Sequence, residues 1–194
     1  MGLKSKDNLK SRKDLKVWTN RSDLFLENDD ATSKPKAAYT LDLERKQAVC
    51  EWMKTLRFPD GHCSNLGAKV KPNPWRLTNM KSHDCHVFMQ RLLPIALRDL
   101  LPEKIWEALA ELSNLFRAIC ASEISPPAMY KLGQTIVQTL CKLEKIFPPA
   151  FFNSMEHLIV HLPYEAMMLE PVFYRWMYPF ERYSYFYQNN LLCC

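Results

Sequence analysis

Apolar residues recur at helical spacing over most of the chain beyond residue 40. Val49, Trp52, Met53 and Leu56 form a first stripe, stopped by the turn residues Phe58-Pro59-Asp60-Gly61. Thr40 is placed to cap that helix, with Asp42 and Glu44 suited to its positive end. Ser82 opens a second helix as a good N-cap; Asp84 falls in its first turn, and Val87, Phe88, Leu92 and Ala96 supply a buried face. Pro94 lies inside that run and should kink or split it. Pro102 and Glu103 start a third helix, whose Ile105, Leu109, Leu112, Phe116 and Ile119 step by four and three. After Ser125-Pro126-Pro127, Met129, Leu132, Ile136, Leu140, Leu143 and Phe147 repeat the pattern. Past Pro148-Pro149, Phe152, Met155, Leu158, Ile159 and Leu162 form a last stripe before Pro163. Lys71-Pro72-Asn73-Pro74 reads as an extended connector, and no segment reads as a β-strand. The pattern predicts an all-α fold: a bundle of about five helices, with antiparallel neighbours joined by short Pro-containing turns.

Composition divides the chain further. Residues 1–38 alternate Lys4, Lys6, Lys10, Arg12, Lys13 and Lys16 with acidic and polar positions. Such a stretch buries too little apolar surface to offset its ordering entropy, so a loosely ordered leader is expected there. Residues 39–76 then hold the first helix and a Pro-rich connector, 77–183 the helical domain, and 184–194 an unrelated, abruptly apolar tail of the kind a truncated reading frame leaves. The hydrophobic fraction of 47% is enough for a real core, whereas four glycines against thirteen prolines argue against a β-sandwich and any Gly-rich phosphate loop. A net charge of +5 tolerates DNA as a partner through the basic residues without requiring it. Seven cysteines, an odd number with no repeated Cys-x-x-Cys spacing, point to a reduced, soluble protein of the cytoplasm or nucleus. Met1 is followed by no apolar signal region, and no apolar run is long enough to span a bilayer.

Two groups of residues carry candidate chemistry. His83 and His86 are three apart at a helix start, with Asp84 and Cys85 between them. His157 and His161 are four apart, the spacing by which one helix face offers two imidazoles to a metal; Leu158 after the first His excludes the zincin pattern. A composite site from His83 and His86, with Cys85 as an alternative ligand, together with His157 and His161 is the candidate metal set, set against the plainer reading of a capped helix start and ordinary helix histidines. Toward the C-terminus, the aromatic run from Val172 to Tyr183 carries Arg175 and Arg182, able to stack on rings or meet an acidic partner.

Three runs together go beyond periodicity: Lys81-Ser82-His83-Asp84-Cys85-His86-Val87-Phe88-Met89-Gln90, His157-Leu158-Ile159-Val160-His161-Leu162-Pro163, and Tyr174-Arg175-Trp176-Met177-Tyr178-Pro179-Phe180-Glu181-Arg182-Tyr183. In them the chain resembles the plant domain of unknown function that follows the catalytic core in CACTA-type (En/Spm) transposases. The resemblance is strongest from about Leu77 to Tyr183. It implies descent from a cut-and-paste DNA transposase, in which three acidic residues on an RNase-H-like core hold two metal ions against the attacking and leaving oxygens. By that resemblance Glu181 is the candidate third acid. A divalent metal such as Mg²⁺ is implied for the complete parent enzyme only; the chain itself is expected to have no cofactor and no catalysis of its own. Partners implied are DNA and the transposase core or another protein, with no membrane. The rival expectation is a helical protein–protein interaction module, with structural zinc binding as a third.

Overall fold

The computed structural model describes residues 8–26, 35–59, 62–148, 151–152 and 154–175. Helices dominate, as the periodicity predicts beyond residue 40, and α1 (Leu9–Trp18) adds one in the leader where none is expected; the others are α2 (Leu43–Thr55), α3 (Ser82–Val87), α4 (Leu93–Leu97), α5 (Glu103–Ile119), α6 (Pro126–Ile146), α7 (Ser154–Leu158) and α8 (Leu162–Leu169). One element lies outside that expectation. Val70–Pro72 (β1) and Trp75–Leu77 (β2) pair antiparallel, with Asn73 and a cis-linked Pro74 at the turn. Pro72 and Pro74 hide this hairpin from a sequence reading, because proline argues against strand; here both are exposed, Pro72 in a two-stranded ribbon.

Two apolar clusters hold the described chain together. In the first, Cys50 and Met53 of α2 meet Leu66, Val70 and Leu92, with Trp52, Trp75, Leu77, Met80 and Phe88 packed around them. A 3₁₀ turn, Leu66–Lys69, brings Leu66 beneath the end of α2. Gly67 makes that approach possible: a Cβ there would stand 3.1 Å from Lys54 Cα. In the second cluster, Leu115 and Ile119 of α5, Met129 and Ile136 of α6 and Ala166 of α8 form the centre, bordered by Leu112, Leu132, Leu140, Leu162 and Val172. Thr139 on α6 donates to Glu111 Oε2 on α5 at 2.8 Å, and Lys142 forms an ion pair with the same carboxylate.

Prolines shape the helix ends. Pro94 does split its helix: Phe88–Leu92 widens to a π-helical segment, and α4 restarts with Pro94 in its first turn. The Pro94 carbonyl accepts from Trp106 Nε1 at 2.7 Å, tying α4 to α5. Pro126 and Pro127 occupy the first turn of α6 rather than ending what precedes it, and Pro163 does the same for α8. The expected stripe from Phe152 to Leu162 is accordingly two short helices. Met155 (65% exposed) and Leu158 (46%) face solvent instead of the core.

The cap residues differ from expectation by one or two positions. Asp42, not Thr40, caps α2, accepting from Arg45 N at 2.8 Å. Lys81, not Ser82, is the N-cap of α3, because Asp84 reaches back to it. In the leader, α1 buries none of its residues, in keeping with a stretch that has no core of its own. It is nevertheless tied to the body. Leu24 is buried, and the Arg21 guanidinium donates to Ile146 O at 3.0 Å at the C-terminal end of α6. No described helix is long and apolar enough to cross a membrane.

Candidate functional site

The densest polar cluster forms where residues 62–64 meet the start of α3. Asp84 is 1% exposed. Its carboxylate accepts from Lys81 N at 3.1 Å, Ser64 N at 3.4 Å and the Cys63 thiol at 3.5 Å. Burial pushes the Asp84 carboxyl up, but the Ser64 hydroxyl beside it and these donors together hold it below the ordinary carboxylate range. The ionised carboxylate thus joins a loop to a helix start twenty residues away in sequence. Cys63 is deactivated by the same arrangement: burial first, then the Asp84 charge, push its thiol up to about 11. Burial likewise pushes Cys120 up to about 11. Neither is a nucleophile at neutral pH.

His83 lies beside this cluster and places its Nε2 2.7 Å from the His62 carbonyl. A carbonyl only accepts, so Nε2 carries the proton, and Nδ1 is the ring nitrogen left with a lone pair. His86 is held below the ordinary imidazole value, chiefly by burial and secondly by His83. On the other candidate pair, His157 Nε2 and His161 Nε2 are 3.2 Å apart with rings tilted by 75°. Bonds of about 2.05 Å from those two nitrogens to one ion would meet at roughly 100°, close to a tetrahedral angle. The composite of His83, His86, His157 and His161 is not assembled, however. Among the described residues no group of three or more His, Cys, Asp or Glu side chains is placed to hold a metal. The two pairs belong to different parts of the fold: α3 leads into Phe88 and Leu92 of the first apolar cluster, whereas Ile159 and Leu162, beside the His157–His161 pair, pack on the second.

Glu181 and Arg182 lie outside the described residues. A shallow recess of about 320 Å³ is lined by Leu56, Arg57, Phe58, Pro59, Cys63, Ser64 and Asn65, with no activated group in it. The sequence reading passed over the hairpin. Lys71 and Arg76 stand directly opposite each other across it, both exposed, while Lys54 Nζ sits 4.9 Å from the Trp75 ring centroid. The signal that would have found them is the near absence of acids between Lys54 and His83.

The family model of a domain of unknown function (DUF4218) matches residues 119–191, from the end of α5 through α6, α7 and α8. No curated protein and no solved structure matches the chain. The matched stretch contains the His157–Pro163 and Tyr174–Tyr183 runs; the Lys81–Gln90 run precedes it.

Proposed function

We propose that this chain is a helical, catalytically incomplete part of a CACTA-type, transposon-derived DNA transposase, lying outside the catalytic core. The observation that carries the reading is the family match over residues 119–191, because it falls on two of the three runs that resemble the domain following such cores. The described architecture accords with an accessory role. It is helical with a single two-stranded ribbon, and its buried acid is consumed in a structural pin. Glu181 stays the candidate third acid of the parent site, where it would hold the divalent metal together with the two acids of the core. The chain alone is expected to cleave no DNA.

The test is to join the chain to a CACTA-type transposase core and measure excision of a marked element. Excision that needs the helical part, and falls when Glu181 becomes Gln, supports the reading. Excision undiminished when residues 77–175 are removed overturns it.

A second reading, a helical protein-interaction module, is favoured by the exposed apolar side chains of α7 and α8. Met155, Leu158, Tyr164, Met168 and Leu169 are all between 46% and 65% exposed. Under that reading the chain binds the core protein and shows no salt-dependent affinity for DNA.

A further inference from the structure

The net charge of the protein is concentrated in one place. Between Lys54 and His83 stand six cations, Lys54, Arg57, Lys69, Lys71, Arg76 and Lys81, against the single acid Asp60. That stretch carries +5, equal to the charge of the entire chain. Elsewhere 20 cations (26 less six) balance 20 acids (21 less one). The fold then raises this segregated charge on a fixed platform. One face of the β1–β2 hairpin is spent on the core: Val70 is 8% exposed, and Trp75 and Leu77 pack with Met53 and Leu66. Thr78 N closes the base of the ribbon on Lys69 O at 2.9 Å. The other face presents Lys71 and Arg76 as a directly opposed pair.

Two like charges directly across a ribbon destabilise it. No described carboxylate forms an ion pair with Lys69, Lys71 or Arg76, whereas Arg21, Arg45 and Lys142 each have one. Among the described residues, the pair therefore has no carboxylate to offset its cost, and an external anion would do so.

We propose that the β1–β2 hairpin is a contact surface for the phosphate backbone of duplex DNA, with Lys71 and Arg76 at its centre. This rests on the transposase reading and specifies where its DNA is held. A two-stranded ribbon fits the width of a major groove, and a uniformly anionic backbone suits cations that have no matching pattern of acids. A membrane surface suits the site less well. The exposed large hydrophobic residues of the protein include none between Leu43 and Ile95, so the ribbon has nothing to insert among acyl chains.

The experiment is a fluorescence-anisotropy titration of a labelled mixed-sequence duplex with the full chain at several salt concentrations. Wild type is compared with Lys71→Gln/Arg76→Gln and with Lys10→Gln/Lys16→Gln, which removes the same charge from α1. The expected result is salt-weakened binding whose log–log slope falls by about 2 in the hairpin variant and is unchanged in the α1 variant. A third variant, Lys71→Glu, replaces the like pair by an opposite one; it should raise the melting temperature while weakening DNA binding, which separates loss of contact from loss of fold. Equal losses in the hairpin and α1 variants would show that only bulk charge acts, and would overturn the proposal. So would binding to phosphatidylserine vesicles in place of duplex, or no salt-dependent duplex binding at all. Excision by the joined core is read independently, so the hairpin can fail here while the transposase reading stands.

Discussion

Asp84 shows how far a single side chain's role depends on what the fold brings to it. Its place in the first turn of a helix, and its suitability there, are legible in the sequence. Its burial is not, because the second set of donors comes from Cys63 and Ser64, and nothing local foretells that the loop after α2 folds back onto α3. Asp84→Ala should leave buried N–H groups without an acceptor and cost roughly 2–3 kcal/mol in urea unfolding. The pH dependence has a definite sign. The folded carboxyl is held below its unfolded value of about 3.9, so its contribution is present above that pH and is lost as pH falls through the lower folded value. His86, held low chiefly by burial, acts in the same direction higher up: stability declines as pH drops below its unfolded value of about 6.5. Unfolding free energy measured across pH should therefore rise from acid to neutral in two stages. Asp84→Asn should shrink the lower stage, leaving the part that Asp23 contributes beside Arg21, and keep the upper. The four-histidine set is unassembled for a reason of the same kind, since no spacing rule reveals that α3 leads into one apolar cluster and the His157–His161 pair adjoins the other.

At the scale of elements, the apolar stripes of α5 and α6 were readable, with a rotation in detail. The buried line of α5 runs Ile105, Ala108, Leu115 and Ile119, while Leu109 and Phe116 are only half-buried. Ala108 is fully buried on that line, a small residue that counting large apolar side chains passes over. What the stripes cannot show is how the ends are joined. The C-terminal end of α6 leaves orphan carbonyls, and Arg21, held by Asp23 at 2.8 Å, supplies the missing donor from the leader. Tyr39 packs its ring 4.7 Å from Phe147 at the same end. Arg21→Ala should cost about 1 kcal/mol, and the loss should register as faster amide exchange in the last turn of α6 and in residues 22–26 together. Exchange that rises in the leader alone would mean that the contact does not brace the helix.

For the molecule as a whole, the matched family segment and the folding unit do not share a boundary. Residues 119–191 include α6 and α8 but only the last residue of α5. The second apolar cluster, however, needs Leu112 and Leu115 from α5 against Met129, Ile136 and Ala166. Glu111 on α5 also receives Thr139 and Lys142 of α6. Cutting the chain at 119 would strip α5 from the buried line of α6 and leave α8 alone against it, too little cover to hold a 21-residue helix in one structure. Chains beginning at residue 119 and at residue 103 should therefore behave differently when both run to residue 194. The longer should unfold cooperatively by circular dichroism, and the shorter should melt without a transition and bind apolar dye. Cooperative unfolding of the shorter chain would show that α6 and α8 suffice for each other. The Lys81–Gln90 run, outside the match, continues through the π-helical segment and α4 into α5 by way of Trp106 and Pro94. It is thus joined to the matched part by packing, and through Cys63, Ser64 and the first apolar cluster it is equally joined to α2, so the packed unit extends upstream of the hairpin as well.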